Sequence, residues 1–151
     1  MRIALCQPDA PELAPLFASH AVHADGIYPD ESNHQMDGAA LRAEGTRLWV
    51  AWSGDLAVAM GGWKPFDAVA AELKSMHVLQ RARGQGAAAR IVEAVVEDAR
   101  AAGRTALFLE TGSHEIHAPA RRLYEKAGFS YCPPFGAYVD DPNSVFMVRA
   151  L

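Results

Sequence analysis

A glycine-containing loop between a predicted strand and a predicted amphipathic helix constrains this chain more than any other feature. The glycine loop (residues 80–88) reads Gln-Arg-Ala-Arg-Gly-Gln-Gly-Ala-Ala. Glycines at a helix N-terminus let backbone N–H groups approach an anion, and the helix dipole favours negative charge there. Arg81 and Arg83 add cations suited to phosphate oxygens. The loop is therefore a candidate phosphate-binding site, and the alternative is an ordinary strand-to-helix turn with two solvated arginines.

Hydrophobic periodicity predicts a mixed α/β chain. Strands are predicted over residues 2–6, 48–52, 56–63, 70–79, 105–110, 129–132 and 145–148, the second and third forming a hairpin. Helices are predicted from an Asp9 N-cap to about residue 24 and over residues 39–44, 85–102 and 116–127, with a loop over residues 25–38. This order favours the α/β (α+β) class, with a mixed, mostly antiparallel central sheet flanked by helices.

Length and composition favour one domain over residues 1–151. Half of the 151 residues are hydrophobic, which suits a single core, and no repeat or linker divides the chain. The formal charge of −4 argues against a general nucleic-acid binder. No apolar stretch approaches the roughly 18 residues of a membrane span, and the N-terminus lacks a signal-peptide pattern. With Cys6 and Cys132 as the two cysteines, we expect a cytoplasmic protein without a disulfide framework.

The same loop also fits a dinucleotide-binding fingerprint. Gly84-x-Gly86-x-x-Ala89 matches G-x-G-x-x-G/A, and Glu110 ends the next predicted strand as a ribose-binding acid would. Dinucleotide folds, however, normally begin with this unit and continue through further strand-helix repeats. About half of this chain precedes the loop and contains a hairpin, so the context argues against a nicotinamide-dependent oxidoreductase.

Two motifs in residues 70–130 carry a resemblance to the GNAT N-acetyltransferase superfamily. Arg81-x-x-Gly84-x-Gly86 resembles the family's Gln/Arg-x-x-Gly-x-Gly/Ala signature, and Leu73-x-x-Met76-x-Val78 leads into it as the family's fourth strand does. The segment over residues 120–129, Ala-Arg-Arg-Leu-Tyr-Glu-Lys-Ala-Gly-Phe, resembles the second motif, Asn-x-x-Ala-x-x-Leu-Tyr-x-x-x-Gly-Phe. Both motifs occur in the family's order and at a typical separation.

The resemblance implies an acetyl-CoA site between the fourth and fifth strands. The pyrophosphate would lie on the backbone of Arg83, Gly84, Gln85, Gly86, Ala87 and Ala88. The pantetheine arm would pair with the fourth strand near Met76 and Val78, where a backbone N–H would polarise the thioester carbonyl. The position at which the family usually has a cofactor-binding Asn is His117 here, and its imidazole, which can donate or accept a hydrogen bond, is the expected cofactor contact.

The resemblance also implies acid and base roles. Tyr124 matches the family tyrosine that protonates the departing thiolate. Glu72, at the start of the fourth strand, is the first candidate for the base, with an exposed strand-edge charge as its alternative. Glu110 is the second candidate, and a water relay could replace either carboxylate.

The resulting prediction is an N-acetyltransferase that moves an acetyl group from acetyl-CoA to a primary amine by direct attack in a ternary complex. The acceptor is expected to be a small molecule that contacts residues 28–34 and 134–138. The same fold acting as a non-catalytic acyl-CoA sensor or partner-binding module is the alternative. The resemblance is compatible with a homodimer. His20-x-x-His23 and the pair His114 and His117 are interpreted as surface or capping residues, so no metal is predicted.

Overall fold

A computed structural model describes residues 1–25 and 37–151. Within these residues seven strands form one sheet in the spatial order β1-β2-β3-β4-β5-β7-β6. The strands are β1 (Arg2–Cys6), β2 (Arg47–Ser53), β3 (Leu56–Pro65), β4 (Ala70–Val78), β5 (Ala106–Gly112), β6 (Ser130–Cys132) and β7 (Ser144–Ala150). Neighbouring strands are antiparallel except β4 and β5, which are parallel. The predicted mixed, mostly antiparallel sheet is confirmed.

Helices cover both faces of this sheet. They are α1 (Ala14–Asp25), α2 (Gly38–Ala43), α3 (Ala87–Ala101) and α4 (Ala118–Lys126). Successive side chains of a strand point to opposite faces. Accordingly, Val50 of β2 packs in a cluster with Leu16 of α1, whereas Ala51 packs in the larger cluster that contains Ile91 of α3 and Tyr124 of α4. The helices therefore form one layer on each side of the sheet.

The start of the first helix differs from the prediction. Asp9 does not cap it; the Asp9 carboxylate instead accepts a hydrogen bond from Arg42 at 2.7 Å. A 3₁₀ turn over Pro11–Leu13, whose N-cap residue Ala10 makes no side-chain hydrogen bond, leads into α1. The Asp9 prediction was wrong because an acidic residue before a proline can equally pair with a cation distant in sequence, which no local pattern reveals.

The two parallel strands separate soon after they meet. Pairing between β4 and β5 involves three residues of each strand, Ala70 to Glu72 against Ala106 to Phe108. Beyond Glu72, β4 continues to Val78 without a registered partner on that side among the described residues. A wedge-shaped opening therefore separates the C-terminal parts of the two strands.

A β-bulge shapes the wall of this opening. Met60 pairs with His77 and Gly62 with Lys74, so the two residues Ser75 and Met76 lie opposite the single residue Gly61. Ser75 has φ of 59°, a left-handed conformation that is uncommon outside glycine and typical of local strain. A side chain at Gly61 would lie within 2.7 Å of Ile91 and closer still to the Met76 sulfur, so glycine leaves room for Met76.

Asp98 of α3 connects this helix to β2 and β3. Its carboxylate accepts two hydrogen bonds from Arg47, at 2.7 and 2.9 Å, and one each from the indole N–H groups of Trp49 (3.1 Å) and Trp63 (2.9 Å). Trp63 is 3% exposed and lies in the core. None of the described helices is long and apolar enough to cross a membrane.

Candidate active site

A cavity of about 510 Å³ occupies the opening between β4 and β5. We call it the β4–β5 cavity. Its walls are residues 72–78 of β4, the glycine loop with the start of α3, residues 110–112 of β5, and the first turns of α4. Tyr138 and Asn143, from the segment between β6 and β7, also line it. The cavity thus brings together residues from both motifs of the sequence.

The glycine loop forms the end of the cavity nearest to the N-terminus of α3. Gly84 and Gly86 have φ of 79° and 80°, and Gly86 is the N-cap residue of α3. A Cβ atom at either position would meet no atom within 4 Å. The requirement for glycine is therefore conformational, and it leaves the backbone N–H groups of the first helical turn accessible for an anion.

The predicted pyrophosphate residues divide into two groups. The five residues Arg83, Gly84, Gly86, Ala87 and Ala88 line the cavity. Gln85 does not; its side chain donates a weak hydrogen bond of 3.5 Å to the carbonyl oxygen of Arg81. Its backbone stays between two lining glycines, so the predicted backbone contact of Gln85 remains a prediction.

Met76 and Val78, predicted to hold the pantetheine arm, form the β4 wall. The bulge at Ser75 precedes them, and the edge of β4 that faces β5 has no strand partner here. An unpaired strand edge can accept an extended ligand as if it were an added strand.

Tyr124, the predicted acid, projects from α4 into the cavity and is 4% exposed. Its ring packs edge-on against Phe129, with centroids 5.8 Å apart. Burial first, and then the nearby Glu110 carboxylate, raise the pKa of Tyr124 well above that of a free tyrosine. The hydroxyl therefore keeps its proton through the neutral range.

Glu72, the first base candidate, is buried instead of lying exposed at the strand edge. The Tyr138 hydroxyl donates a hydrogen bond of 2.7 Å to its Oε2 atom. The Lys74 ammonium lies 3.5 Å from the same oxygen, and the Lys64 ammonium lies 4.0 Å from Oε1. Lys74 also donates a 3.3 Å hydrogen bond to the Tyr138 oxygen. Oε2 of Glu72 is therefore held by a hydrogen bond and a nearby cation, whereas the Lys64 ammonium near Oε1 donates its hydrogen bond to Glu44.

Glu110, the second base candidate, has a different environment. Burial raises the pKa of Glu110 to about 7; Ser144 and Lys74 lower it in part, and Glu72 and Asp141 raise it. A carboxyl group with a pKa near 7 is well suited to exchange protons at neutral pH. Glu72 and Glu110 therefore line one cavity but differ in the groups that surround their carboxylates.

The histidines occupy separate positions. His77, 6% exposed, forms a 2.7 Å hydrogen bond with the Ser19 hydroxyl and stacks on His20 at 5.0 Å between ring centroids. His77 is therefore a buried, hydrogen-bonded histidine, and both rings also line the cavity. His114 caps the turn before α4 through its Nδ1 atom, which accepts from Ile116 N–H at 3.2 Å. His117 is the N-cap residue of α4 and lines the cavity, without a side-chain capping bond.

Two further sequence predictions concern a metal site and the segments expected to contact the acceptor. Within the described part of the chain no three His, Cys, Asp and Glu side chains are grouped to hold a metal ion. The predicted acceptor segment over residues 28–34 lies outside the described residues. The second segment, over residues 134–138, contributes Tyr138 to the cavity. Sequence reasoning named this residue only as part of that segment and missed Lys74.

The chain has the fold of the acyl-CoA N-acyltransferase class, in which a mixed sheet opens between two parallel strands and a glycine loop begins the helix beside the opening. The chain belongs to the acetyltransferase (GNAT) family, whose model matches residues 12–129. It is 41% identical over 123 residues to an uncharacterized N-acetyltransferase, YsnE, of Bacillus subtilis (strain 168), covering 82% of each chain.

Two further comparisons agree with this family. The chain is 39% identical over 126 residues to a protein named IAA acetyltransferase from Azospirillum brasilense, covering 83% of this chain and 81% of the relative. The fold is similar to the crystal structure of an acyl-CoA N-acyltransferase-like protein from Klebsiella pneumoniae subsp. pneumoniae MGH 78578. That comparison has a TM-score of 0.81 at 24% identity and covers 99% of this chain and 97% of that one.

Proposed function

We propose that this protein transfers an acetyl group from acetyl-CoA to a primary amine of a small-molecule acceptor by direct attack in a ternary complex. One observation carries the proposal: a single cavity joins the glycine loop to the carboxylates Glu72 and Glu110. Glu72 precedes Val78, the last residue of β4, by six positions. At roughly 3.3 Å per residue, the carboxylate end of the cavity and the end at the glycine loop are therefore about 20 Å apart. An extended thioester fits this separation between its phosphate and its acyl group.

The glycine-loop end of the cavity is suited to the phosphates. The α3 N-terminus supplies backbone donors and the positive end of the helix dipole, and Arg83 supplies a cation beside them. The unpaired edge of β4 near Met76 and Val78 supplies donors and acceptors for the amide groups of the pantetheine arm. A β4 N–H aimed at the thioester carbonyl would stabilise the oxyanion that forms there.

The other end of the cavity is suited to proton transfer. The acceptor nitrogen must attack as the neutral amine, so Glu72 or Glu110 removes a proton from it. Tyr124, which stays protonated at neutral pH, donates its proton to the departing thiolate. The new C–N bond forms as the C–S bond breaks with its electron pair on sulfur. When the acceptor arrives as an ammonium ion, one proton is released to solvent overall.

The proposal is tested by calorimetric titration of the purified protein with acetyl-CoA, with NAD as the control ligand. We expect micromolar binding of acetyl-CoA and none of NAD. Thiol release is then measured over a panel of primary amines; IAA is added because a relative carries that name. Binding without turnover of any acceptor would favour the non-catalytic sensor. Failure to bind acetyl-CoA would overturn the proposal.

Replacing Arg83 by alanine is expected to weaken acetyl-CoA binding by about 10- to 100-fold, because a charge-assisted hydrogen bond is worth about 1.5–3 kcal/mol. The measurement is the same titration. Arg81→Ala is the matched control, since Arg81 is an exposed arginine of the same loop that does not line the cavity. Equal affinity of the Arg83→Ala variant and the unsubstituted protein would show that the pyrophosphate lies elsewhere.

A further inference from the structure

We propose that Glu110 is the group that takes the proton from the acceptor amine, and that the network of Glu72, Lys74 and Tyr138, which lines the same cavity, sets the charge around Glu110. The inference rests on the proposed function and deepens it. It assigns different roles to the two carboxylates that sequence reasoning treated as alternatives. Glu72 becomes a positioning residue, together with Lys74 and Tyr138.

The contacts of Glu72 argue against its taking the proton. Its Oε2 atom accepts the Tyr138 hydrogen bond at 2.7 Å and lies 3.5 Å from the Lys74 ammonium. Its Oε1 atom faces the Lys64 ammonium at 4.0 Å. Proton transfer to Oε2 would require breaking the Tyr138 hydrogen bond beside a cation, which is unfavourable in a buried site. The contacts of Glu72 therefore favour a structural role for it over proton transfer from the acceptor.

Three segments distant in the sequence hold this network together. β4 supplies Glu72 and Lys74, β3 supplies Lys64, and the segment between β6 and β7 supplies Tyr138. The Tyr138 ring packs against Phe135 and Phe146, with centroids 5.0 and 5.5 Å away, so its hydroxyl is directed by a packed aromatic cluster. The network is therefore part of the rigid wall of the cavity.

Glu110 lines the same cavity from β5. The groups that act on it or on which it acts are Glu72 and Lys74 of β4, Tyr124 of α4, Tyr138 and Asp141 before β7, and Ser144 at the start of β7. Since Glu72 and Lys74 carry opposite charges, they act on the proton affinity of Glu110 in opposite directions. In the reaction, the amine proton passes to Glu110 as the C–N bond forms, and Tyr124 protonates the sulfur. Glu110 then releases its proton to solvent and Tyr124 takes one up from solvent, which restores both groups.

The experiment is the pH dependence of kcat/KM for the best amine of the panel, calculated on the concentration of its neutral form so that the acceptor's own ionisation is removed. The rate must fall on acidification as Glu110 becomes protonated, with a midpoint near pH 7. Lys74→Met removes a positive charge and is expected to move this acidic limb to higher pH by about 0.5–1 unit. Glu72→Gln removes a negative charge and is expected to move it to lower pH by about the same amount. Glu110→Gln should eliminate the limb.

Two controls isolate the network. Glu97→Gln and Lys126→Met remove one charge of each sign from exposed positions and should leave the limb unchanged.

Tyr138→Phe deletes one hydroxyl group and should lower kcat/KM about fivefold, roughly the value of one hydrogen bond. It should have no further effect in the Glu72→Gln background, because Tyr138 acts through Glu72.

Carbon-13 NMR titration of the Glu110 carboxyl gives a readout that does not require turnover. Its midpoint should lie near pH 7, and it should move to higher pH in Lys74→Met and to lower pH in Glu72→Gln. If no acceptor is turned over, the proposed function fails while this titration still tests the network. If Lys74→Met does not fold, the direction in which Glu72→Gln shifts the Glu110 midpoint tests the inference by itself. Loss of the limb in Glu72→Gln, its survival in Glu110→Gln, or no shift in the charge variants would overturn the inference.

Discussion

Replacing Tyr124 by phenylalanine is expected to lower kcat by about 10²–10³-fold, because a positioned general acid typically contributes roughly 10²–10⁴-fold. The ring would keep its packing against Phe129, since the substitution removes only the hydroxyl. Affinity for acetyl-CoA should therefore change by less than about twofold. Steady-state thiol release and calorimetric titration measure the two quantities separately.

Tyr131→Phe is the matched control for this substitution. Tyr131 lies on β6, is 52% exposed and makes one weak hydrogen bond to Glu125. Tyr131 does not line the cavity, so kcat should be unchanged. Equal kcat values for the Tyr124→Phe variant and the unsubstituted enzyme would show that water or another group protonates the thiolate.

Asp98→Ala is expected to reduce the free energy of unfolding by about 3 kcal/mol. The substitution removes the acceptor for Arg47 and both indole N–H groups, and it leaves the N–H group of the buried Trp63 without a partner. One unsatisfied buried donor accounts for about 1–3 kcal/mol, and the lost charged hydrogen bonds add to it. Urea denaturation at neutral pH measures the difference. Glu97→Ala, at an exposed neighbouring position of α3, should change stability by less than about 0.5 kcal/mol.

The contribution of Asp98 should also depend on pH. Partial burial by itself raises the pKa of Asp98, but the hydrogen bonds from Arg47, Trp63 and Trp49 outweigh it, and the pKa lies below its usual range. Its contribution is therefore fully present above the pKa of the unfolded chain and is lost as pH falls through the folded pKa. An Asp98→Asn variant should lose less stability than the unsubstituted protein as pH falls below about 4. Parallel stability curves for the two proteins would contradict this account.

The fold could be predicted from the sequence because its information is local. The apolar face of α3, the hairpin of β2 and β3 and the two motifs are each read within about twenty residues. Helix ends were harder to predict, since Asp9 pairs with Arg42 instead of capping α1. The order of the elements along the chain was nevertheless correct.

The chemistry of the site could be predicted only in part. The glycine loop and Tyr124 belong to contiguous patterns, so their presence in one cavity could be anticipated from the resemblance. The bond between Tyr138 and Glu72 joins residues 66 positions apart, and no local pattern indicates it. The same is true of the environment of Glu110, which depends on burial and on charges from other strands. Ranking the two carboxylates therefore required three-dimensional coordinates.

The short parallel pairing of β4 with β5 has a thermodynamic consequence. Four strands on one side and three on the other share this seam of three residue pairs. An extended ligand seated beyond the seam would bridge the two parts of the sheet, which the unfolded chain cannot offer it. Saturation should therefore raise the melting temperature, with a gain of about 2.7 kcal/mol at a ligand concentration 100 times Kd. The bound acyl donor would then act as an added strand that can dissociate from the sheet, and the melting temperature of the protein would depend on the concentration of that donor.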